Sequence, residues 1–207
     1  MTTKEKIIDE LLSLFSIKGY KGTSVKNIAD AVGIKDASLY KHFKSKQEIL
    51  DTLVEMIKKH IEDMSDAFGL PENGDIQQAV ALYAQFNEAM LVEFSKKIFL
   101  FYLKDSVLSR FWRMGTIEQY QNSEVYDVFE KLFLEDSITY QTALFAEMSK
   151  AQVFIDANPQ VMAMSFYAPI FFLLSKYAGT VDQEAEALEI LEKQVREFYR
   201  IYRIKKE

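Results

Sequence analysis

The sequence predicts an all-α fold: an N-terminal three-helix domain with a helix-turn-helix of the DNA-binding kind, followed by a larger C-terminal helical domain. Three observations carry this expectation. Apolar residues recur at helical spacing nearly throughout, and no segment alternates with period two between turn signals. Over 207 residues there are only 7 glycines and 3 prolines. Residues 23–46, TSVKNIADAVGIKDASLYKHFKSK, read as two short helices around a glycine turn.

The first helix is expected over Thr3–Lys18, with Thr2 and Glu5 as a capping box, Ile8, Leu11, Leu12 and Phe15 as its apolar face, and Gly19 as its stop. Thr23 and Ser24 offer side-chain oxygens at the next helix start. There Ile28, Ala29 and Val32 repeat at helical spacing while Lys26, Asn27 and Asp30 face water. Gly33 suits the sharp turn, because a positive φ costs glycine little. The third helix, roughly Asp36 to Phe43, buries Leu39 and Phe43 and points Ser38, Tyr40, Lys41 and His42 elsewhere. Ser45 and Glu48 form an S-x-x-E box opening a fourth helix that runs to about Phe68.

The segment GLPENGD, 69–75, is the clearest breaker and separates the fourth helix from the body. A fifth helix is expected over Ile76–Phe94 and a shorter one over Ser95–Leu103. Another starts at Asp105 or Ser106 and ends near Gln121. Ser123–Leu134 and Ser137–Phe154 read as helical with a kink at Glu135–Asp136. Asn158 and Pro159 supply an N-cap and an N1 proline for the penultimate helix, which ends before Gly179. The last helix begins at Thr180 or Asp182 and runs to about Ile204. The expected domains are 1–47, with the helix-turn-helix, and 48–207, the remaining helices.

Composition narrows the function. There is no cysteine, which excludes disulfides and thiolate chemistry and suits a reducing cytoplasm. The apolar runs Ile98–Leu103 and Ala168–Leu174 fall far short of the ~20 residues of a membrane span, and the charged N-terminus lacks signal-peptide order. A cytoplasmic protein without membrane partner is expected. The net charge of −6 conceals a split. Residues 1–60 carry 11 lysines against 8 acids, whereas residues 61–207 carry 14 cations against 23 acids. Within 16–46 seven lysines face only Asp30 and Asp36. A basic head on an acidic body fits a DNA-binding module joined to something that must not bind DNA.

The run Phe15–Leu50, FSIKGYKGTSVKNIADAVGIKDASLYKHFKSKQEIL, resembles the DNA-binding domain of the TetR/AcrR family of bacterial transcriptional regulators. The matching elements are Phe15, Gly19-Tyr20, Ile28-Ala29, Val32-Gly33-Ile34 and, most specifically, Leu39 to Lys46 followed by Glu48 and Leu50. The resemblance implies that the second helix of the motif enters the major groove. It places Ser24, Lys26, Lys35, Asp36, Ala37, Ser38, Tyr40, His42 and Lys46 on the DNA side. The chemistry agrees: lysines pair with phosphates, Tyr40 can donate to one, Ser38 can bond base edges, and Ala37 can touch a thymine methyl. Many relatives have Ser or Thr where this chain has Lys35, so the recognition helix lacks a side-chain cap. Asp36 has two readings, a cytosine amino contact or a first-turn acid that favours the helix dipole. His42 also has two, phosphate contact or packing.

Residues 83–145 are dense in aromatics. Each taken singly is ordinary core; together, with eight methionines, they could enclose an adaptable apolar cavity. The resemblance implies an effector site there, with Tyr83, Phe86, Met90, Phe94, Trp112, Tyr126, Phe145 and Phe166 as candidates. The expected effector is a small, largely apolar or aromatic molecule. Leu188, Leu191, Val195, Phe198 and Tyr202 follow an a/d-like spacing, and Val161, Met164, Ala168 and Phe171 share a face of the preceding helix. These nine are the expected homodimer interface, pairing two heads on two half-sites of a double-stranded DNA operator. No cofactor or metal is expected, since His42 and His60 are the only histidines. No phosphate loop or nucleophile–base order suggests an enzyme. The function so implied is a repressor; an activator of the same architecture, or a ligand-binding protein with a degenerate head, are the alternatives.

Overall fold

The computed structural model describes residues 2–204 apart from 72–74, 122 and 179–182. The described helices are α1 (Thr3–Lys18), α2 (Val25–Val32), α3 (Asp36–Leu39), α4 (Lys46–Ala67), α5 (Ile76–Ala84), α6 (Glu88–Lys104), α7 (Ser106–Glu118), α8 (Ser123–Glu130), α9 (Asp136–Lys150), α10 (Pro159–Tyr177) and α11 (Glu184–Tyr202). A π turn at Lys131–Glu135 joins α8 to α9. Among the described residues no strand occurs, only an isolated antiparallel bridge between Phe154 and Arg203. No described helix is long and apolar enough to cross a membrane.

The chain forms two compact units, one holding residues up to Asp63 with Asp105–Glu130, the other Met64–Lys104 with Lys131 onward. In the first unit α1 buries Ile7, Ile8, Leu11, Leu12 and Phe15 and packs on α2 and, most extensively, on α7. The α7 face that packs in this unit carries Leu108, Phe111, Trp112 and Gly115. Gly115 is required there: a Cβ would lie 2.3 Å from the Phe129 ring of α8. In the second unit α10 packs on α9, α11 and α6, and α5 packs on α9. Its core gathers Ala79, Val80, Leu144, Phe145, Met148, Phe154, Met162, Ala163 and Phe198.

Several boundaries depart from expectation. The expected break at Ser95 lies instead at Gln85–Asn87, so Ile76–Phe94 is two helices and α6 runs unbroken to Lys104. Asn87 causes this: its Oδ1 accepts from the Met90 N–H at 2.9 Å, which starts a new helix. α9 stops at Lys150 rather than Phe154, because Gln152 adopts φ 56°. The N–H groups of Gln152 and Val153 then bond Ser149 and Met148 carbonyls at 3.0 and 2.8 Å, a Schellman closure with glutamine in glycine's place. The expected kink near Glu135 is the π turn, and the buried Tyr167 hydroxyl donates to its Phe133 carbonyl. Burial raises the Tyr167 pKa to about 12, with a Ser137 hydrogen bond pulling the other way. The expected start of the last helix at Thr180 or Asp182 lies outside the described residues.

α10 also contains Pro169, which sequence reading passed over. A proline at 169 has no N–H for the Ser165 carbonyl, one turn back. The Gln194 amide of α11 fills that vacancy, donating to the Ser165 carbonyl at 3.0 Å. This predicts coupling between the two positions. Gln194→Met should cost about 0.5–1.5 kcal/mol in urea denaturation, the net worth of one hydrogen bond. In a Pro169→Ala background, where the backbone N–H returns, the same substitution should cost clearly less. Equal costs in both backgrounds would refute the compensation.

Candidate nucleic-acid interface

The helix-turn-helix is built from local rules. Ser24 caps α2 by accepting the Asn27 N–H at 3.1 Å, and Asn27 returns a side-chain acceptor to the Ser24 N–H at 2.9 Å. Asn27 is therefore half-buried in a capping box rather than free in water. Gly33 closes α2 at φ 77°, the left-handed region, and Ile34 bonds back to the Ala29 carbonyl at 2.9 Å. The α3 helix is shorter than expected, ending at Leu39. Residues 40–42 continue as tight turns, with Lys41 and His42 N–H groups bonding Ser38 and Leu39 carbonyls. Leu39 and Phe43 are fully buried, each worth about 1.5–3 kcal/mol of burial, and pin this short segment.

The anchor leaves one side of α3 outward. Lys35, Asp36, Ala37, Tyr40 and His42 are exposed, Tyr40 by 53%, and Ser38 is half-exposed. Lys26 on α2 is exposed too. Lys35 makes no side-chain cap, as its chemistry requires, and Asp36 takes the first turn. Ser24 is outward, but its hydroxyl is engaged with Asn27 at 2.8 Å.

Lys46 departs from the expected phosphate contact. Its ammonium donates inward to the Tyr20 and Thr23 carbonyls, the latter at 2.8 Å, and lies 3.8 Å over the Tyr20 ring. Burial lowers its pKa, and the Glu118 carboxylate partly restores it. The same Tyr20 peptide is held from its other side, where Glu118 of α7 accepts the Tyr20 N–H. Glu118 is fully buried, and its second oxygen has no hydrogen bond. A Cβ at Gly19, φ 72°, would strike Glu118 Oε1 at 2.4 Å. Further along, Arg110 of α7 binds Asp9 at 2.6 Å and Ser13 at 2.7 Å on α1. Sequence reading missed Glu118 and Arg110. The one available signal was an acid continuing the apolar Leu108-Phe111-Gly115 face of its helix. The expected box at Ser45 is half formed: Ser45 accepts the Glu48 N–H at 3.1 Å, but Glu48 turns to the Lys44 N–H.

The candidate effector residues are divided between the two units. Trp112 and Tyr126 belong to the first unit, where both rings pack on Phe129. In the second unit Tyr83, Phe86 and Phe94 close on one another edge-to-face at 5.3–5.7 Å. Phe145 and Phe166 stack with Phe198 in the core, and Met90 is exposed. An open cleft of about 620 Å³, lined by Asp66, Gly69, Leu70, Pro71, Gln78 and Leu82, includes none of them.

The expected dimer seam needs correction as well. Leu191, Val195 and Phe198 are buried in the protomer's own core, with Leu188 and Tyr202 half-buried beside them. The a/d-like spacing of α11 records packing within the protomer. Phe171 is half-buried near the Tyr167 ring. What faces outward is Val161 (55% exposed), Met164 (54%), Ala168 and Phe172 (63%) on α10, with Ile190 and Ile201 on α11.

Residues 7–53 match the family described as bacterial regulatory proteins, tetR family. The chain is 28% identical over 150 residues to the biofilm operon icaADBC HTH-type negative transcriptional regulator IcaR of Staphylococcus aureus strain Newman, covering 72% of this chain and 73% of the relative. Against IcaR of Staphylococcus epidermidis the identity is 52% over 52 residues, 25% of this chain and 28% of the relative. The fold is similar to that of the SmeT–triclosan complex, with a TM-score of 0.66, 17% identity, and coverage of 99% of this chain and 93% of that one. Agreement in the residues of the head joins agreement in the fold of the whole: residues 7–53 carry the head of the tetR family of bacterial regulatory proteins, on a chain whose whole fold is similar to that of the SmeT–triclosan complex.

Proposed function

We propose that the chain is a transcriptional repressor that binds a double-stranded operator as a homodimer through residues 1–47 and responds to a small-molecule effector through residues 48–207. The observation that carries the reading is the outward side of α3, where Lys35, Asp36, Ala37, Ser38 and Tyr40 stand on a segment pinned by Leu39 and Phe43. Lys26 and Lys35 supply phosphate neutralisation, and the Tyr40 hydroxyl a directed phosphate contact. Ser38 and Ala37 are sized for base edges, with Asp36 either accepting from a cytosine amino group or serving the helix dipole. His42, exposed and beside Lys41, belongs to the phosphate side. Repression rather than activation is favoured because the relative at 28% identity is named a negative regulator.

The effector half is supported by a protein of this fold that is a triclosan complex. Because Tyr83, Phe86 and Phe94 are packed ring on ring, a ligand among them must replace those contacts. It shifts the operator-binding equilibrium only by its differential affinity for the two states. A second copy of the chain fits the outward stripe of α10 and α11, since an isologous pairing covers the same apolar patch on both partners.

Footprinting on the DNA upstream of this protein's own gene tests the core of the reading. Wild type should protect a site with two half-sites, and no protection at moderate salt would overturn it. Tyr40→Phe should weaken binding about fivefold per half-site, the equivalent of a hydrogen bond of about 1 kcal/mol. Lys35→Gln should flatten the salt dependence by about 0.9 per head in a plot of log affinity against log salt. For the dimer, Met164→Glu combined with Phe172→Glu should sediment as a folded monomer with weakened operator binding. An unchanged sedimentation coefficient would place the interface elsewhere.

A further inference from the structure

The head's positive charge is not arranged as its sequence suggests. Of the seven lysines within residues 16–46, two are engaged with backbone carbonyls, Lys46 half-buried and Lys21 at the surface. Lys46 is bound to the Tyr20 and Thr23 carbonyls, and Lys21 donates to the Gln121 carbonyl at 2.6 Å. Lys18, Lys26, Lys35, Lys41 and Lys44 are exposed as well. Outside that segment, Lys4 in the first turn of α1 is exposed, and its ammonium lies 5.0 Å from the centroid of the Phe43 ring. Phe43 is the buried anchor between His42 and Lys44, at the end of the turns that follow α3. A cation on that ring stands beside the exposed C-terminal end of the recognition segment.

Two features make Lys4 available. The acid of its own turn, Glu5, is folded back onto the Thr2 N–H at 2.8 Å in the α1 capping box. Among the described residues no carboxylate forms an ion pair with Lys4, so the Phe43 ring is the contact that places its ammonium. A cation–π contact orients an ammonium without neutralising it and leaves its N–H groups free for an anion. We propose that Lys4 is a phosphate-binding residue of this head, taking a backbone phosphate of double-stranded DNA in the role that Lys46, turned inward, does not fill. The inference rests on the DNA-binding reading above and adds a residue outside the helix-turn-helix to it.

Phosphate contact has a signature that a structural role lacks: it sets the salt slope and is indifferent to sequence. Fluorescence anisotropy across a salt series, on the upstream duplex and on a random-sequence duplex of the same length, reads that slope. Lys4→Gln should reduce its magnitude by about 0.9 per head on both duplexes, and Lys4→Arg should restore it. Lys46→Met should lower the melting temperature and leave the slope of the folded protein as in wild type. A Lys4→Gln slope equal to that of a normally binding wild type overturns the proposal alone. So does a slope lost in Lys46→Met with no loss of melting temperature. Wild type that binds neither duplex overturns the DNA reading and this inference with it.

Discussion

The peptide of Tyr20 is the point on which the head depends. Its N–H is taken by a buried carboxylate from α7 and its carbonyl by a half-buried ammonium from the start of α4. Both charged groups are far from each other in sequence, and both meet a turn that Gly19 makes possible at φ 72°. Each is costly to desolvate alone, and removing one partner of such an arrangement strands the other. The turn between α1 and α2 is thus fixed by two elements outside the first three helices. The unit that contains the recognition segment accordingly includes α7 and α8, reaching Glu130. A division at residue 47 separates the proposed DNA-facing residues from the rest; the packing describes what holds them there.

The second unit solves a different problem, that of backbone groups left over when helices are interrupted. Pro169 frees the Ser165 carbonyl, and a glutamine from α11 occupies it. The Phe133 carbonyl in the π turn receives the Tyr167 hydroxyl from α10. Behind α9, the chain leaves through a left-handed glutamine, and then bridges the end of α11 through Ile155 N–H to Tyr202 carbonyl at 2.9 Å. In each case an acceptor left over where a helix is interrupted or ends is met by a donor from another part of the chain. Such repairs tie α9, α10 and α11 into one body more specifically than apolar packing does.

How much of this was legible in the chain follows from the range of the interactions. α1, the start of α2, the Gly33 turn and the Asn158–Pro159 start of α10 are encoded within four or five residues, and the sequence states them. The break at Asn87 was hidden because Tyr83, Phe86, Met90 and Phe94 keep helical spacing across it, although no single helix carries them. Periodicity also misled on α11, where an a/d-like pattern marks the face turned into the protomer and the partner-facing candidates are the residues between. An apolar stripe says that a face is covered; it does not say whether by the same chain or another. Glu118 shows the opposite limit, since its partner lies 98 positions away.

The lysines of the head carry the same lesson into electrostatics. A charge count over residues 16–46 treats every ammonium as available, yet an ammonium spent on two carbonyls and an aromatic face attracts phosphate at a distance without being able to grip it. The burial that lowers the Lys46 pKa is the same burial that turns its ammonium onto the Tyr20 and Thr23 carbonyls. Long-range steering depends on the sum of charges and survives this rearrangement, whereas register on a duplex depends on which ammonium groups can reach phosphates. The resemblance of LYKHFKSK to its family is therefore a statement about the fold of the turn first, since Lys46 and Phe43 of that motif both point inward. In the proposed reading operator choice rests on the outward residues of α3, among them Asp36, an acid on the surface that would approach a polyanion. Its repulsion from phosphate is tolerable only where it is offset, either by a base-edge donor or by the helix it helps to start.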